Sequence, residues 1–193
     1  MTESKQRLLD AAIAHVAEHG VRDLTLRGLA AAIGTSHRML IYHFGSKDGL
    51  LLEVVRVVED RTRAMYARLA DELGPDEPPT ELPRKFWRAV TEPAMAQLEP
   101  LYFELYGRAV AGDPGTAAML RGVVGGWQQP MTDMLIKLGI PADEAAVHAR
   151  LGIAVTRGLL MDYLASGDLE ACTTAMDEFI DRYAPFGEPP RTG

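Results

Sequence analysis

The stretch Thr25–Lys47, TLRGLAAAIGTSHRMLIYHFGSK, decides the fold. Thr25 can accept the first free backbone N–H groups of a helix carrying Leu29, Ala30 and Ile33. Gly34 ends that helix, because glycine reaches the left-handed conformation that a sharp stop requires. Thr35 or Ser36 then caps a second helix, in which Leu40 and Phe44 fall on one face. Its other face carries Ser36, His37, Arg38, Tyr42 and His43, hydrogen-bonding side chains too polar for a core. A small helix anchored by Leu40 and Phe44 and showing donors to solvent suits a helix-turn-helix in the DNA major groove.

The order Thr-x-x-x-Leu-Ala-x-x-x-Gly-x-Ser over Thr25–Ser36 is followed by Leu40-Ile41-Tyr42-His43-Phe44 and Ser46-Lys47-x-x-Leu50. Together these resemble the TetR family of bacterial transcriptional regulators. The resemblance implies that His37 and Arg38, at the start of the second helix, face the major groove, where an arginine can bridge guanine O6 and N7. It implies that Thr25, Ser36, Tyr42 and Lys47 hold phosphates; Thr35 and His43 complete the DNA-facing set. Two positions depart from the family pattern, Arg38 where a small residue is common and Ile41 where tyrosine is.

Outward from this motif, 193 residues with 47% hydrophobic and 24% charged content have the balance of a globular protein able to bury a sizeable core. No apolar run approaches the roughly 18 residues of a membrane helix. The opening MTESKQRLLDAA is charged and amphipathic, unlike a secretory signal. The lone Cys172 cannot form an intrachain disulfide, which fits a reducing cytoplasm. The net charge of −7 is unevenly spread: Met1–Val58 carries +1 and the remainder −8. A near-neutral N-terminal domain can bind DNA through a local cluster of cations, with the acidic remainder held away from the duplex.

Helical spacing recurs along the whole chain, and the expected class is all-α. Leu8, Leu9, Ala12, Ile13 and Val16 predict a first helix, stopped by Gly20. With Leu26, Leu29, Ile33, Leu40 and Phe44 they would make a three-helix core, residues 1–48, with the helix-turn-helix at 25–44. A long helix from Ser46 to about Leu73 is the mechanical link to a second domain, 49–187, of further helices. Residues 188–193 read as a disordered tail. The second domain holds Trp87, Met95, Phe103, Tyr106, Met119, Trp127, Met131 and Tyr163. Methionines and aromatics fill ordinary cores, but they also line adaptable small-molecule pockets. The resemblance implies such a pocket, for a small and largely apolar effector, with Arg108, Gln97, Gln128 and Tyr163 as polar fixing points. It also implies a homodimer through the last two helices, where Gly152, Ala154, Gly158 and Ala175 sit beside large residues.

His15-Val16-Ala17-Glu18-His19 has the H-x-x-E-H spacing of a zinc hydrolase helix. Such a site needs a third ligand and a cleft, whereas this segment ends at Gly20; no metal and no cofactor are expected. The reading is therefore a dimeric, ligand-responsive DNA-binding regulator, a repressor on a palindromic operator. One rival is a small helical enzyme using the aromatic-rich domain, for which no nucleophile with a base is evident; the other is a regulator with a vestigial pocket.

Overall fold

The computed structural model describes residues 3–21, 23–74 and 76–183; the side chains of 118–121, 123–125 and 183 are outside the description, as is the expected tail. Ten helices and no strand occur among the described residues: α1 Glu3–His19, α2 Leu26–Ala32, α3 His37–Phe44, α4 Lys47–Asp71, α5 Glu81–Val90, α6 Pro93–Ala96, α7 Glu99–Val110, α8 Pro114–Lys137, α9 Ala142–Ser166 and α10 Leu169–Tyr183. The chain is all-α, with an N-terminal helix-turn-helix followed by further helices. The stretch expected as one helix from Leu82 to Leu98 is split, because Pro93 cannot donate a hydrogen bond to a helix running through it.

These helices form two compact units. The first comprises Met1–Thr62 and Pro93–Val123, the second Arg63–Glu92 and Val124–Gly193. Both α4 and α8 contribute residues to each.

In the first unit, α1 buries Leu9, Ala12, Ile13 and Val16, a set spaced to share one helix face. They join Leu26, Leu29, Leu40 and Phe44 in a core that α4 extends with Leu50, Leu51, Val54 and Val55. Leu8 and Ile33 pack at its edge. The core is larger than the three-helix cluster expected, since Leu98, Leu101, Tyr102 and Leu105 also close over it. Polar seams tie the same elements: Lys5 pairs with Glu53 at 3.4 Å and Arg61 with Asp10.

In the second unit, α5 lies along α10. Trp87 Nε1 donates to Thr173 Oγ1 at 2.9 Å, and Arg84 pairs with both Asp177 and Asp181. Tyr66 meets Phe86 edge-on at 5.2 Å, and Phe86 meets Trp127 at 5.5 Å. Such aromatic contacts combine a large buried area with a preferred geometry. Gln128 of α8 donates to the Ala146 carbonyl at 2.8 Å, fixing α8 against the start of α9.

Candidate nucleic-acid interface and ligand cavity

The helix-turn-helix is built by local hydrogen bonding. Thr25 Oγ1 accepts from the Gly28 N–H at 3.0 Å and starts α2. At the other end Gly34, with φ of +69°, turns the chain, so that its N–H reaches the Ala31 carbonyl and the Thr35 N–H the Ala30 carbonyl. That paired closure satisfies carbonyls that α2 would otherwise leave open. Ser36 Oγ then accepts from the Met39 N–H at 3.2 Å and opens α3, and Ser46 Oγ accepts from the Gly49 N–H at 2.9 Å and opens α4. The α3–α4 junction is tight: a Cβ at Gly49 would lie 2.1 Å from the Phe44 carbonyl oxygen.

With Leu40 and Phe44 buried, the rest of α3 is turned outward. Ser36, His37 and Arg38 are exposed, as are Met39 and Ile41, and Tyr42 is 78% exposed. Thr25 is also exposed, while Thr35, His43 and Lys47 are half-buried. The eight residues expected to face DNA thus sit on α3, its preceding turn, the cap before α2 and the first residue of α4. His43 differs from its neighbours. Its ring lies edge-on to Tyr42 at 5.0 Å, and its buried Nε2 has no hydrogen-bond partner.

Behind this face, Arg108 of α7 grips Asp48 of α4 with two hydrogen bonds, 3.2 and 3.0 Å, and reaches Asp113 at 2.9 Å. The hydrogen bonds from Arg108 hold the Asp48 carboxyl below the ordinary carboxylate range. Asp113 is lowered chiefly by the Gly115 backbone N–H, and then by Arg108. Arg108, expected as a polar fixing point for a ligand, is committed to these carboxylates.

A cavity of about 80 Å³ lies in the second unit. Its wall takes Tyr66 from α4, Leu82, Phe86 and Trp87 from α5, and Met131 and Leu135 from α8. His148, Leu151 and Thr156 of α9 and Met176, Phe179 and Ile180 of α10 complete it. Of the eight residues expected to bind a ligand, Trp87 and Met131 line this space. Trp127 is buried behind it, edge-on to Tyr66 at 6.0 Å. Tyr163 is half-buried elsewhere on α9. Met95 belongs to the first unit, and Phe103 and Tyr106 pack against that unit's core; the Met119 side chain lies outside the described residues. Gln97 is exposed and Gln128 is used on Ala146.

Tyr66, Leu82 and the α10 side chains were not expected in a pocket. The large apolar residues of α10 are visible in the sequence, but they do not say which neighbour each meets.

His15 and His19 stack at 4.4 Å, and His19 Nδ1 meets the His15 carbonyl at 3.1 Å. Among the described residues no group of three or more His, Cys, Asp or Glu side chains is placed to hold a metal ion. No helix among them is long and apolar enough to cross a membrane.

Residues 8–54 match the family described as bacterial regulatory proteins, tetR family. Over 62 residues the chain is 40% identical to the HTH-type transcriptional repressor AcnR of Corynebacterium glutamicum, a match covering 32% of either chain. The likeness spans about a third of the length of this curated relative. Over nearly the whole length the fold is that of a transcriptional regulator from Rhodococcus sp. Rha1, at TM-score 0.70 and 24% identity, covering 92% of this chain and 94% of that one. It is also that of the multidrug binding protein EbrR complexed with imidazole, at TM-score 0.68 and 22% identity, covering 94% and 90%.

Proposed function

We propose that this chain, a protein of the tetR family by its residues 8–54, is a dimeric, sequence-specific DNA-binding repressor released by a small molecule. The observation that carries the reading is α3 itself, a capped helix held by Leu40 and Phe44 with Arg38, His37 and Tyr42 outward. In a major groove, Arg38 and His37 read base edges. Thr25, Ser36, Tyr42 and Lys47 hold the phosphates around them, with Thr35 and His43 beside them on the same face. The repressor AcnR, similar over the same segment, supports repression as the outcome of binding.

Dimerisation through α9 and α10 is supported by an uncovered stripe on α9. Val147 is 66% exposed and Met161 51%, with exposed Leu151, Ala154 and Gly158 between them at helical spacing. Small residues within such a stripe let two helices approach closely. A two-fold dimer presents two copies of α3, so the operator is a palindrome with half-sites about 34–36 Å apart.

The cavity is the effector site in this reading, and the likeness to a multidrug binding protein supports that assignment. Coupling runs through α4, which supplies Lys47 at its first turn and Tyr66 to the cavity wall. A coupling of about 1–3 kcal/mol changes DNA affinity roughly 5- to 150-fold. Nothing in this scheme requires an enzyme activity, and the protein acts on DNA in the cytoplasm.

The test is selection of random duplexes by the purified full chain. A recovered palindrome, bound by the protein and silencing a reporter placed behind it, is the expected result. Recovery of no common sequence, with retention depending on salt alone, would remove the sequence-specific reading.

A further inference from the structure

Most buried polar groups in the second unit are satisfied. Trp87 Nε1 is spent on Thr173, Thr91 Oγ1 on the Trp87 carbonyl at 2.8 Å, and Thr132 Oγ1 on the Gln128 carbonyl at 2.8 Å. The cavity wall carries polar side chains that are not spent in this way. Tyr66, His148 and Thr156 line the space, and none of their side chains hydrogen-bonds to another described residue. Tyr66 is 8% exposed as a residue, and its hydroxyl has no hydrogen-bond partner among the described residues. A donor without a protein partner at a cavity wall is one that an occupant can satisfy.

The remaining wall defines the rest of the occupant. It contains no Asp, Glu, Lys or Arg. Arg84, on the helix that supplies Phe86 and Trp87, is already paired with Asp177 and Asp181. A cation entering here would therefore lose its hydration with no countercharge to replace it, and an anion would meet only the His148 imidazole. Two of the aromatic rings in the wall, Tyr66 and Phe86, are packed on each other and on Trp127 at 5.2 to 6.0 Å, which leaves them less open to a cation. Burial pushes the Tyr66 phenol up to about 12, so it stays a neutral donor across the physiological range. At about 80 Å³ the space is smaller than the cavity of about 150 Å³ known to admit benzene. The flexible thioethers of Met131 and Met176 in the wall can yield the difference for a single ring.

We propose that the cavity takes an uncharged, ring-sized apolar molecule bearing one acceptor oxygen, a neutral carbonyl compound by class, held by a hydrogen bond from Tyr66. This rests on the reading of the cavity as the effector site. The experiment compares four one-ring probes by calorimetry on the full chain: acetophenone, ethylbenzene, benzoate and phenyltrimethylammonium. Acetophenone is expected to bind about 3- to 10-fold more tightly than ethylbenzene, which lacks only the oxygen. The two ions are expected to bind more weakly than either. In Tyr66→Phe the preference for acetophenone should vanish while ethylbenzene binds as before and the thermal midpoint holds, since the hydroxyl removed has no partner.

If phenyltrimethylammonium or benzoate binds as tightly as acetophenone, the neutral class is wrong although the cavity remains an effector site. A preference for acetophenone that survives in Tyr66→Phe overturns the assignment of the hydrogen bond. If no probe binds, the effector reading of the cavity itself falls, whatever the protein does with DNA.

Discussion

The surface around α3 and the cavity are assembled in opposite ways, the first from neighbours in sequence and the second from distant helices. Around α3, each exposed turn is closed by a neighbour in sequence: Thr25 by Gly28, Ser36 by Met39, Ser46 by Gly49. Ser36, His37, Arg38 and Tyr42 face water, while His43 is half-buried and keeps a buried Nε2 without a partner. The cavity is drawn from five helices scattered between Tyr66 and Ile180, and the side chains of Tyr66, His148 and Thr156 in its wall have no hydrogen-bond partner among the described residues. The first surface is set by contacts local in sequence. The second depends on how distant helices meet, and it offers a donor at Tyr66 that an occupant carrying an acceptor can use.

The largest effect should come from removing the anchor that turns α3 outward. Leu40 is 0% exposed, and Leu40→Ala should cost about 2–5 kcal/mol, read from urea unfolding, and abolish operator binding. A loss of binding with unchanged stability would show that Leu40 is not the anchor. Next in size is Arg38→Ala, which leaves the fold alone and should relax base preference by about 1–3 kcal/mol at one position in each half-site. Unchanged preference in binding to a set of single-base operator variants would take that role from Arg38.

The order of these effects follows what was legible in the chain. Thr25, Gly34 and Ser36 act on residues within a few positions, so their roles can be read from spacing, and the helix-turn-helix emerged with its caps in place. Trp87 and Met131 were reachable as cavity residues because their types suit a pocket. Phe103 and Tyr106 have the same character, yet they pack on the core of the first unit. Type alone does not tell which neighbour a helix face meets. Tyr66 was hidden for the same reason, lying in a helix whose outline was plain but whose last turns had no visible partner.

A smaller effect separates capping from reading. Ser36→Ala should cost about 1 kcal/mol of stability by removing the acceptor for the Met39 N–H, with base preference intact; a shift in preference would mean that Ser36 touches bases. The smallest effect concerns acid. Asp48 and Asp113 have folded-state carboxyls lowered below their unfolded values. Their contribution is therefore complete above the unfolded carboxylate range, about pH 4, and is lost as pH falls through the lowered values. Arg108→Met should flatten this acid dependence, followed as the thermal midpoint between neutral pH and about pH 3. An unaltered profile would show that the Arg108 cluster is a surface decoration. The cavity's Tyr66 should add nothing to it, since a phenol shifted upward is protonated in both states at these pH values.

The junction at Gly49 bears on how such a protein is rewritten. The Phe44 carbonyl sits so near that any side chain at Gly49 would collide with it, which leaves the start of α4 no latitude relative to the end of α3. Recognition helix and following helix are in effect one bent rod. If α3 reads bases as proposed, substitutions on the outer surface of that rod would retarget the protein to other sequences. The elbow itself is closed to variation, so new specificities would be sought in His37 to Tyr42 and never at the bend.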